Sequence, residues 1–403
     1  MNRRVVITGV GAVTPLGVGA EVLHERWAAG ESGIEDGAGR CSAYDPEQHL
    51  SRKEARRADR FTQLSLVSCA EALEQAGWLE RDELPYDPTR IGCVIGTGIG
   101  GIETLENAFG VLRDSGPQKV SPLAIPLMMS NAAPAALAMK HGFRGQVFGT
   151  VSACAAGAHA IGTAARMINS GDAEAVVCGG SEASLTPLAY AAFGAMDALS
   201  NSGISRPFDA RRDGFVMAEG AGVLILEDRD RAAERGATIL GELLGYGATA
   251  DAHHLTAPEP RGEGAARAIM LALADAGMDA THVDYVNAHG TSTPLNDRAE
   301  TEAIKAALGE RAADVPISST KSAIGHTLGA AGAVEAVATL IALRERIAPP
   351  TLGYEQPDEG LDLDYVPEGP RPLRGNGTPS VALSNSFGFG GHNVVLCIGG
   401  PPS

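Results

Sequence analysis

Short runs of apolar residues alternate along the chain with longer segments in which apolar residues recur every three or four positions. The short runs predict buried β-strands, and the longer periodic segments predict amphipathic helices. In the first part of the chain, helices are predicted over residues 61–76 and 158–170. The strands predicted there are residues 4–9, 90–96, 146–151, 175–179 and 222–227.

The same alternation starts again after Asp228. Strands are predicted there over residues 238–245, 282–287, 316–319, 379–384 and 393–398, with helices over 262–276, 298–308 and 332–344. Such alternation predicts an α/β fold around a central sheet, and its repetition predicts two duplicated halves, residues 1–235 and 236–403. No long Pro- or Ser-rich linker separates them, so we expect the halves to pack tightly. Residues 200–203 and 373–378 are predicted to be surface loops.

The composition is that of an ordinary globular protein, and it limits the kinds of partner and the cellular location that we expect. The 403 residues are 44% hydrophobic and carry a net charge of −17, which argues against nucleic acid as a partner. No apolar run approaches membrane-spanning length, and no apolar leader follows Met1. The six cysteines form neither a Cys-x-x-Cys pair nor a metal-binding spacing. We therefore expect a reduced, cytoplasmic protein without a membrane partner, and we assign no metal to it.

One short segment departs from the acidic balance. Residues 51–60 carry five basic side chains on a predicted helix start, namely Arg52, Lys53, Arg56, Arg57 and Arg60. A solvated helix face is one interpretation of so short a run of charge. A docking surface for an acidic carrier is the other.

Cys154 lies on the predicted passage from the strand at 146–151 to the helix at 158–170, among small residues. The thiolate is the nucleophilic form of cysteine. A helix N-terminus lowers the pKa of a thiol and offers N–H groups to an oxyanion. Small neighbours would also let a substrate carbonyl reach the sulfur. The alternative is a buried structural cysteine, as many free cysteines are.

Two histidine motifs follow in the second half. His289 comes directly after a predicted strand, at the edge of the sheet where open α/β folds contact ligands. The hydroxyls of Thr291, Ser292 and Thr293 would either cap the next helix or bind a polar arm of a substrate.

His326 and Lys321 lie on a second strand-turn-helix passage, which repeats the arrangement around Cys154. Lysine is unfavourable in a packed turn unless it is paired or reaches solvent, so we predict a functional Lys321. A glycine-rich turn at residues 385–393 is not a P-loop, because no Gly-Lys-Ser/Thr and no helix follow it. We expect it to bring N–H groups, Phe387 and Phe389 to a pocket, with a core position as the alternative for Phe387.

A cysteine and two separate histidines indicate acyl chemistry at a thiol. The motifs around them resemble those of β-ketoacyl-acyl carrier protein synthases, the elongating type II condensing enzymes of the thiolase superfamily, and are close to type II polyketide ketosynthases. The resemblance covers nearly the whole chain, and its motifs are specific jointly and in this order. They are Val5-Val-Ile-Thr-Gly-Val-Gly, Ser152-Ala-Cys, Arg206-Pro-Phe-Asp-Ala-Arg-Arg-Asp-Gly-Phe, Asn287-Ala-His-Gly-Thr-Ser-Thr, Lys321-Ser-Ala-Ile-Gly-His and Gly388-Phe-Gly-Gly.

The resemblance implies a thiolase-like fold with two halves in a five-layer α-β-α-β-α arrangement, and a dimer. It implies a decarboxylative Claisen condensation, in which Cys154 carries the acyl group and malonyl-acyl carrier protein extends it by two carbons. His289 and His326 would stabilise the malonyl enolate, and Lys321 would order the histidines. Backbone N–H groups of Cys154 and Phe389 would form the oxyanion hole, and Phe389 would gate the acyl pocket. No cofactor is implied.

The family also implies how the acyl carrier protein binds. Thr291 and Thr293 would hold its phosphopantetheine arm, and a basic surface would dock the protein itself. That surface comprises Lys53, Arg56 and Arg57. Two features differ from relatives: Asp197 stands where some have a basic docking residue, and residues 198–205 form a shorter loop. Some relatives hold a structural cation, whose ligand pattern is matched by Asn287, Glu335 and Asn385.

Other functions stay open at this point. A CoA-dependent thiolase needs a second catalytic cysteine, for which Cys397 is the candidate, but His289 stands where thiolases usually have asparagine, which favours decarboxylation. A non-catalytic chain-length partner of a type II polyketide synthase typically lacks the nucleophile that Cys154 supplies. The active ketosynthase of such a heterodimer, paired with a chain-length-factor-like paralogue, is an alternative to a homodimer.

Overall fold

The computed structural model describes residues 3–80, 83–373 and 380–401. Its dominant feature is one 11-stranded sheet. The strands of its main path are β1 (Val5–Thr14), β2 (Ile91–Gly96), β3 (Val147–Thr150), β4 (Ala175–Glu182), β5 (Gly220–Asp228), β6 (Gly241–Ala250), β7 (Val283–Asn287), β8 (Ile317–Ser318), β9 (Val381–Gly388) and β10 (His392–Gly399). The longer helices are α1 (Ala20–Ala28), α2 (Arg60–Gln75), α3 (Ile102–Ser115), α4 (Ala132–His141), α5 (Ala156–Asn169), α6 (Pro187–Gly194), α7 (Arg229–Glu234), α8 (Glu263–Asp275), α9 (Pro294–Leu308) and α10 (Ala331–Glu345).

The strand order occurs twice within this sheet. The first five strands are arranged β3-β2-β4-β5-β1, and the second five are arranged β8-β7-β9-β10-β6. Corresponding neighbours also have the same direction, since β2 is parallel to β3 and β4 just as β7 is parallel to β8 and β9. The two sets meet where β1 pairs with β6 through Val5, Val6 and Ile7. The boundary predicted between residues 235 and 236 lies between α7 and β6.

Helices and strands form five layers. Helices α2 and α4 cover the outer face of the first set of strands, and α8 and α9 cover the outer face of the second. Helices α5 and α10 pack against each other between the two sets. Three buried apolar clusters fill the spaces between layers, with Phe61 in the first, Ile161 and Val337 in the central one and Ile304 in the last. This is the predicted five-layer arrangement.

Most predicted elements lie near the observed ones, and β1 is one of the exceptions. The strand predicted over residues 4–9 continues to Thr14, although Gly9 and Gly11 fall within it. The backbone of α2 passes so closely that a methyl group at either glycine would collide with a carbonyl oxygen of that helix. The glycines therefore allow helix–sheet contact rather than ending the strand.

Other boundaries shift by a few residues. The strand predicted over 238–245 begins at Gly241 and continues to Ala250, and the strand predicted over 316–319 has only two residues. Residues 200–203 lie outside helices and strands, as predicted, whereas most of the loop predicted at 373–378 falls outside the described residues, as does the first residue of the strand predicted at 379–384. In the described part of the chain, no helix combines the length and apolar character that crossing a membrane requires.

Candidate active site

The N-termini of α5 and α10 meet at the centre of the molecule. A Cβ atom at Gly157 of α5 would lie 2.9 Å from the backbone nitrogen of Ala333, and one at Gly332 of α10 would lie 2.9 Å from that of Ala158. Small residues are therefore required where these two helices cross. The turns that precede the helices carry the predicted cysteine and the second predicted histidine, so the crossing brings those two side chains together.

Cys154 and His326 form the core of the site. Cys154 follows β3 and lies two residues before α5, after Ala153, whose φ of 49° makes the sharp turn. Both side chains are buried, and Nε2 of His326 lies 3.1 Å from the sulfur of Cys154. A thiol from the first half thus contacts an imidazole from the second.

Backbone geometry determines which nitrogen of His326 carries the proton. The N–H of Leu328 donates to Nδ1 of His326 at 3.3 Å, so Nδ1 is an acceptor. Burial, followed by the positive charge of Lys321, holds the pKa of His326 well below 6.5, so the ring is neutral at pH 7. Its one N–H is therefore on Nε2 and points to Cys154.

His289 completes the set from the end of β7. Its ring lies 5.4 Å from that of His326 between centroids, at an angle of 84°. Nζ of Lys321 lies 3.3 Å from Nδ1 of His289 and donates to it, which leaves the ring proton on Nε2. Burial, Lys321 and His326 together lower the pKa of His289 well below 6.5.

The sulfur of Cys154 and the ring nitrogens lie close enough to be metal ligands. The three ligand atoms are within 4.8 Å of one another. A metal-bound imidazole nitrogen must be unprotonated, however, and the contacts from Leu328 and Lys321 occupy the other nitrogen of each ring. The arrangement therefore offers two N–H donors to a substrate beside a thiol.

Lys321 is buried and fully engaged. Its ammonium group donates to the backbone oxygen of His289 at 2.6 Å and to the carboxylate of Glu335. Burial raises the pKa of Glu335 to about 7, and the charge of Lys321 opposes this rise. The lysine is thus tied to the turn that carries His289, not free to act as a nucleophile.

The residues matched to the structural cation of relatives have oxygen atoms free for it. Oε2 of Glu335 and Oδ1 of Asn385 are buried and, among the described residues, have no hydrogen-bond partner. The amide of Asn287 is engaged with Thr320 and with the backbone oxygen of Glu335. Buried unpartnered oxygens are what a small cation would satisfy, so this part of the chain fits such an ion.

The glycine-rich turn lies against the cysteine. A Cβ atom at Gly388 would be 3.0 Å from the backbone nitrogen of Cys154, so glycine permits this approach. Burial raises the pKa of the Cys154 thiol to about 11, while Lys321 and the backbone N–H groups of Phe389 and Cys154 lower it. The resting sulfur therefore keeps its proton, and two N–H groups are directed at the place where negative charge would develop.

A cavity of about 440 Å³ opens above these groups. Phe387 and Phe389 both line it, and Phe387 also packs against the outer core of the second half, so both interpretations of that residue hold. The hydroxyls of Thr291 and Thr293 lie 2.9 Å apart at the cavity, and Thr293 also caps α9. The apolar wall of the cavity includes Ile99, Phe193, Phe215 and Leu328.

The predicted docking segment differs from the expectation in its structure. Residues 52–55 form a separate one-turn helix, which Ser51 caps, and Asp59 caps α2 independently. Lys53, Arg56 and Arg57 are exposed and do not line the cavity. Arg60 belongs elsewhere, because its guanidinium is bound to Glu219 at 2.6 Å. Of the five basic residues of the segment, Arg52, Lys53, Arg56 and Arg57 are thus available at the surface, and Arg60 is not.

Some features of the site gave no signal in the sequence. Glu300 of α9 accepts the N–H groups of His289 and Gly290, each at 2.7 Å, and so holds the turn in place. Asp197 lies at the cavity with a φ of 52°, and Asp213 ties the loop at 200–203 to the same wall. No composition change or spacing rule marks Glu300, whereas Asp197 was noted above as a departure from relatives and Asp213 lies inside one of the motifs quoted there.

Cys397 is not part of the site. It lies in the middle of β10, fully buried in the outer core of the second half, and does not line the cavity. Burial raises its pKa to about 12. The second cysteine that a thiolase needs is therefore not supplied by Cys397.

A thiol, two imidazole N–H donors and a glycine-rich turn against the sulfur, in this fold, are typical of an acyl-transferring enzyme. Residues 42–232 match the model of the beta-ketoacyl synthase N-terminal domain, and residues 240–355 match that of the C-terminal domain. The chain belongs to the beta-ketoacyl synthase family. It is accordingly an acyltransferase that forms carbon–carbon bonds.

Individual relatives agree with this assignment over their whole length. The chain is 49% identical to 3-oxoacyl-[acyl-carrier-protein] synthase 2 of Synechocystis sp., over 98% of this chain and 97% of that protein. It is 44% identical to the synthase 2 of Staphylococcus aureus, over 98% of both. A type II PKS ketosynthase, solved in complex with its acyl-carrier protein and bound to the hexaketide, is 34% identical with a TM-score of 0.89, over 99% of this chain and 100% of that one. A beta-ketoacyl synthase from Burkholderia phymatum is 35% identical with a TM-score of 0.90, over 99% of each chain.

Proposed function

We propose that the chain joins an acyl group held on Cys154 to a malonyl group held on an acyl carrier protein, with loss of CO2. The observation that carries this proposal is the position of His326, whose Nε2 lies 3.1 Å from the sulfur of Cys154 while His289 stands beside it. A thiol with two adjacent N–H donors suits both halves of a condensation.

In the first half-reaction, the sulfur of Cys154 attacks the carbonyl carbon of an acyl thioester. The carbonyl oxygen becomes an oxyanion, which the N–H groups of Cys154 and Phe389 stabilise. Each such donor typically lowers a barrier by roughly 2.7–4 kcal/mol. The carbon–sulfur bond to the carrier then breaks, and the departing phosphopantetheine thiolate takes the proton of the Cys154 thiol.

In the second half-reaction, the thioester oxygen of a malonyl carrier accepts hydrogen bonds from Nε2 of His289 and His326. The bond between its methylene carbon and its carboxylate breaks, CO2 leaves, and the electron pair forms an enolate. That carbon attacks the acyl carbonyl, and Cys154 leaves as a thiolate, which takes up one proton from water to restore the thiol. The product on the carrier is two carbons longer. Lys321 keeps His289 in its donor state throughout.

The remaining residues have supporting parts in this proposal. The hydroxyls of Thr291 and Thr293 would bind the phosphopantetheine arm, and Phe389 would gate the acyl pocket. The exposed Lys53, Arg56 and Arg57 would attract an acidic carrier. A structural cation would be held by oxygens of Asn287, Glu335 and Asn385 and would order the turn beneath Lys321. We also propose a cytoplasmic location, supported by six cysteines that are all free. We further propose two duplicated halves at 1–235 and 236–403, supported by the repeated strand order.

Intact-mass analysis tests the nucleophile. The parent should gain the mass of one acyl group when incubated with acyl carrier protein that carries that group as a thioester, and Cys154→Ser should gain none. Cys397→Ser is the matched control, because it removes a buried thiol that does not line the cavity, and it should be acylated like the parent. Acylation of Cys154→Ser would show that another residue is the nucleophile. Loss of acylation in Cys397→Ser would revive the thiolase alternative.

A heterodimer with a paralogous chain is the second candidate, and one set of exposed features supports a dimer of either kind. Helix α3 exposes Leu105, Phe109 and Leu112, and β3 is a partly exposed edge strand. Such a face needs a partner. A solved neighbour at a TM-score of 0.90 is the ishigamide ketosynthase/chain length factor, 31% identical over 99% of this chain and 100% of that one. We favour a homodimer; an active homodimer by native mass spectrometry supports it, whereas activity only with a copurified paralogue supports the heterodimer.

A further inference from the structure

Glu182 is a buried carboxylate that the condensation does not use. It ends β4, it is inaccessible to solvent, and it accepts five hydrogen bonds. The donors are the Thr97 hydroxyl at 3.2 Å, the Gly98 N–H at 2.6 Å, the Ile99 N–H at 3.3 Å, the Ser184 hydroxyl at 3.0 Å and the Gly329 N–H at 3.1 Å. Three of the five donors are backbone N–H groups, which can only donate and therefore favour the ionised carboxylate. Burial raises the pKa of Glu182, and these donors oppose that rise.

Glu182, like Glu300, differs from three other buried glutamates in its surroundings. Glu219, Glu227 and Glu335 each pair with an arginine or a lysine. Within residues 3–80, 83–373 and 380–401, Glu182 has no such partner and relies on backbone N–H groups and hydroxyls. An unpaired buried charge costs stability, so stability alone does not account for a carboxylate here.

The carboxylate joins a loop from each half of the molecule. Gly98 and Ile99 form part of the cavity wall in the first half, and Gly329 follows the His326 turn in the second. A methyl group at Gly329 would collide with the backbone of Gly98, so the two loops touch. Oε2 of Glu182 accepts both the Gly98 and the Gly329 N–H groups, and so clamps the contact.

The contact that Glu182 holds between Gly98 and Gly329, here called the clamp, is linked to His326 through Leu328. Leu328 precedes Gly329, and its N–H donates to Nδ1 of His326. Leu328 has a φ of 47°, which a leucine adopts only where neighbours impose it. If Gly329 moved away from Gly98, the Leu328 N–H would turn from Nδ1, and the proton would no longer be confined to Nε2.

We propose that Glu182 is a positioning residue for His326. By binding the Gly329 N–H, the Glu182 carboxylate keeps the ring proton of His326 directed at Cys154. This inference rests on the proposed condensation for its kinetic consequence, but its effect on the His326 tautomer is independent of any substrate.

Two variants distinguish the effect of the length of the Glu182 side chain from the effect of its charge. Glu182→Asp keeps the charge but is one carbon shorter, so it cannot hold Gly329 and Gly98 together. We expect its kcat for condensation to fall about 10-fold at nearly unchanged KM. Glu182→Gln keeps the length: its amide oxygen can take the place of Oε2, and its NH2 group can donate to Thr97 and Ser184 while losing only the long contact with the Ile99 N–H. Its kcat should stay within about three-fold of the parent.

Nitrogen-15 NMR of labelled histidine reports the tautomer directly, with the His326 signals assigned by their loss in His326→Asn. The parent and Glu182→Gln should carry the proton on Nε2, and Glu182→Asp should show a mixture. Glu227→Asp is the matched control, because it shortens another fully buried glutamate, on β5, and it should change neither kcat nor the His326 signals.

The inference is overturned if Glu182→Asp keeps the parent kcat or the parent tautomer, or if Glu182→Gln is the slower of the two. If Glu182→Asp does not fold, the NMR spectrum of the parent is the test. A proton on Nδ1 of His326 in the parent would overturn the inference. A parent that shows the Nε2 tautomer but performs no condensation would remove the proposed function and leave the positioning intact.

Discussion

Each of the two histidines beside Cys154 has one ring nitrogen occupied by a donor, a backbone N–H for His326 and an ammonium group for His289. Their other nitrogens must therefore carry the protons. Neither ring needs a positive charge for this role, and burial prevents one at neutral pH. The chemistry of the site thus depends on where protons are held more than on acid strength.

Removal of either donor should affect the two half-reactions differently. We expect His289→Ala and His326→Ala to slow CO2 release from a malonyl carrier by about 100-fold or more, because each loses one donor to the enolate oxygen. Acylation of Cys154, followed by intact mass, should slow by less than about 10-fold. The exposed His282→Ala serves as the control and should resemble the parent. Undiminished CO2 release in both active-site variants would exclude this role for the histidines.

The same histidines should make stability depend on pH. Unfolded histidine takes up a proton near pH 6.5, whereas the buried pair takes one up only at lower pH. The unfolded state therefore binds more protons between those values, and the free energy of unfolding falls as pH decreases below about 6.5. Above about pH 6.5, the contribution of the two neutral histidines to the free energy of unfolding is fully present. Urea unfolding from pH 7.5 to 5 should show a smaller decline for the double variant His289→Asn, His326→Asn; an equal decline would contradict the assignment.

At the scale of elements, the crossing of α5 and α10 places chemistry from two halves at one point. Gly157→Ala should push the helices apart, because its Cβ would lie 2.9 Å from the Ala333 backbone nitrogen. We expect a loss of about 1–3 kcal/mol in the free energy of unfolding, with slower acylation of Cys154.

Gly110→Ala in α3 is the matched control for that prediction. No heavy atom lies within 4 Å of a Cβ atom there, so alanine should stabilise the helix by up to about 1 kcal/mol. Thermal unfolding and intact mass measure both effects. Equal behaviour of the two variants would mean that the helix crossing tolerates a methyl group.

The elements also show which parts of the structure a sequence can reveal. The two strand-turn-helix passages were predictable, because small residues mark a close backbone approach locally around Cys154 and His326. The clamp at Glu182 was not, since its partners Gly98 and Gly329 lie 84 and 147 positions away and carry no local pattern. The full length of β1 was not predicted, because Gly9 and Gly11 are needed for close contact with α2, and α2 is distant in sequence.

For the whole molecule, the surface charge should govern how the carrier arrives. Reversal of Lys53, Arg56 and Arg57 to glutamate should raise KM for carrier-bound substrates about 10-fold and leave small thioester mimics unaffected, because only the carrier is acidic over a large surface. High salt should reduce the difference. Arg231→Glu, an exposed charge outside this segment, is the control for Lys53→Glu alone, because each of these single reversals changes the net charge by the same amount. Equal kinetics with carrier substrates would remove this segment from the docking surface.

The pairing of β1 with β6, together with the crossing of α5 and α10, has a consequence for biosynthesis. A nascent chain that has emerged from the ribosome only as far as β5 already contains the thiol but neither imidazole. With the roles proposed above for His289 and His326, such a chain would have no means to decarboxylate a malonyl group. Catalytic competence arrives late in translation, when the C-terminal strands close the sheet.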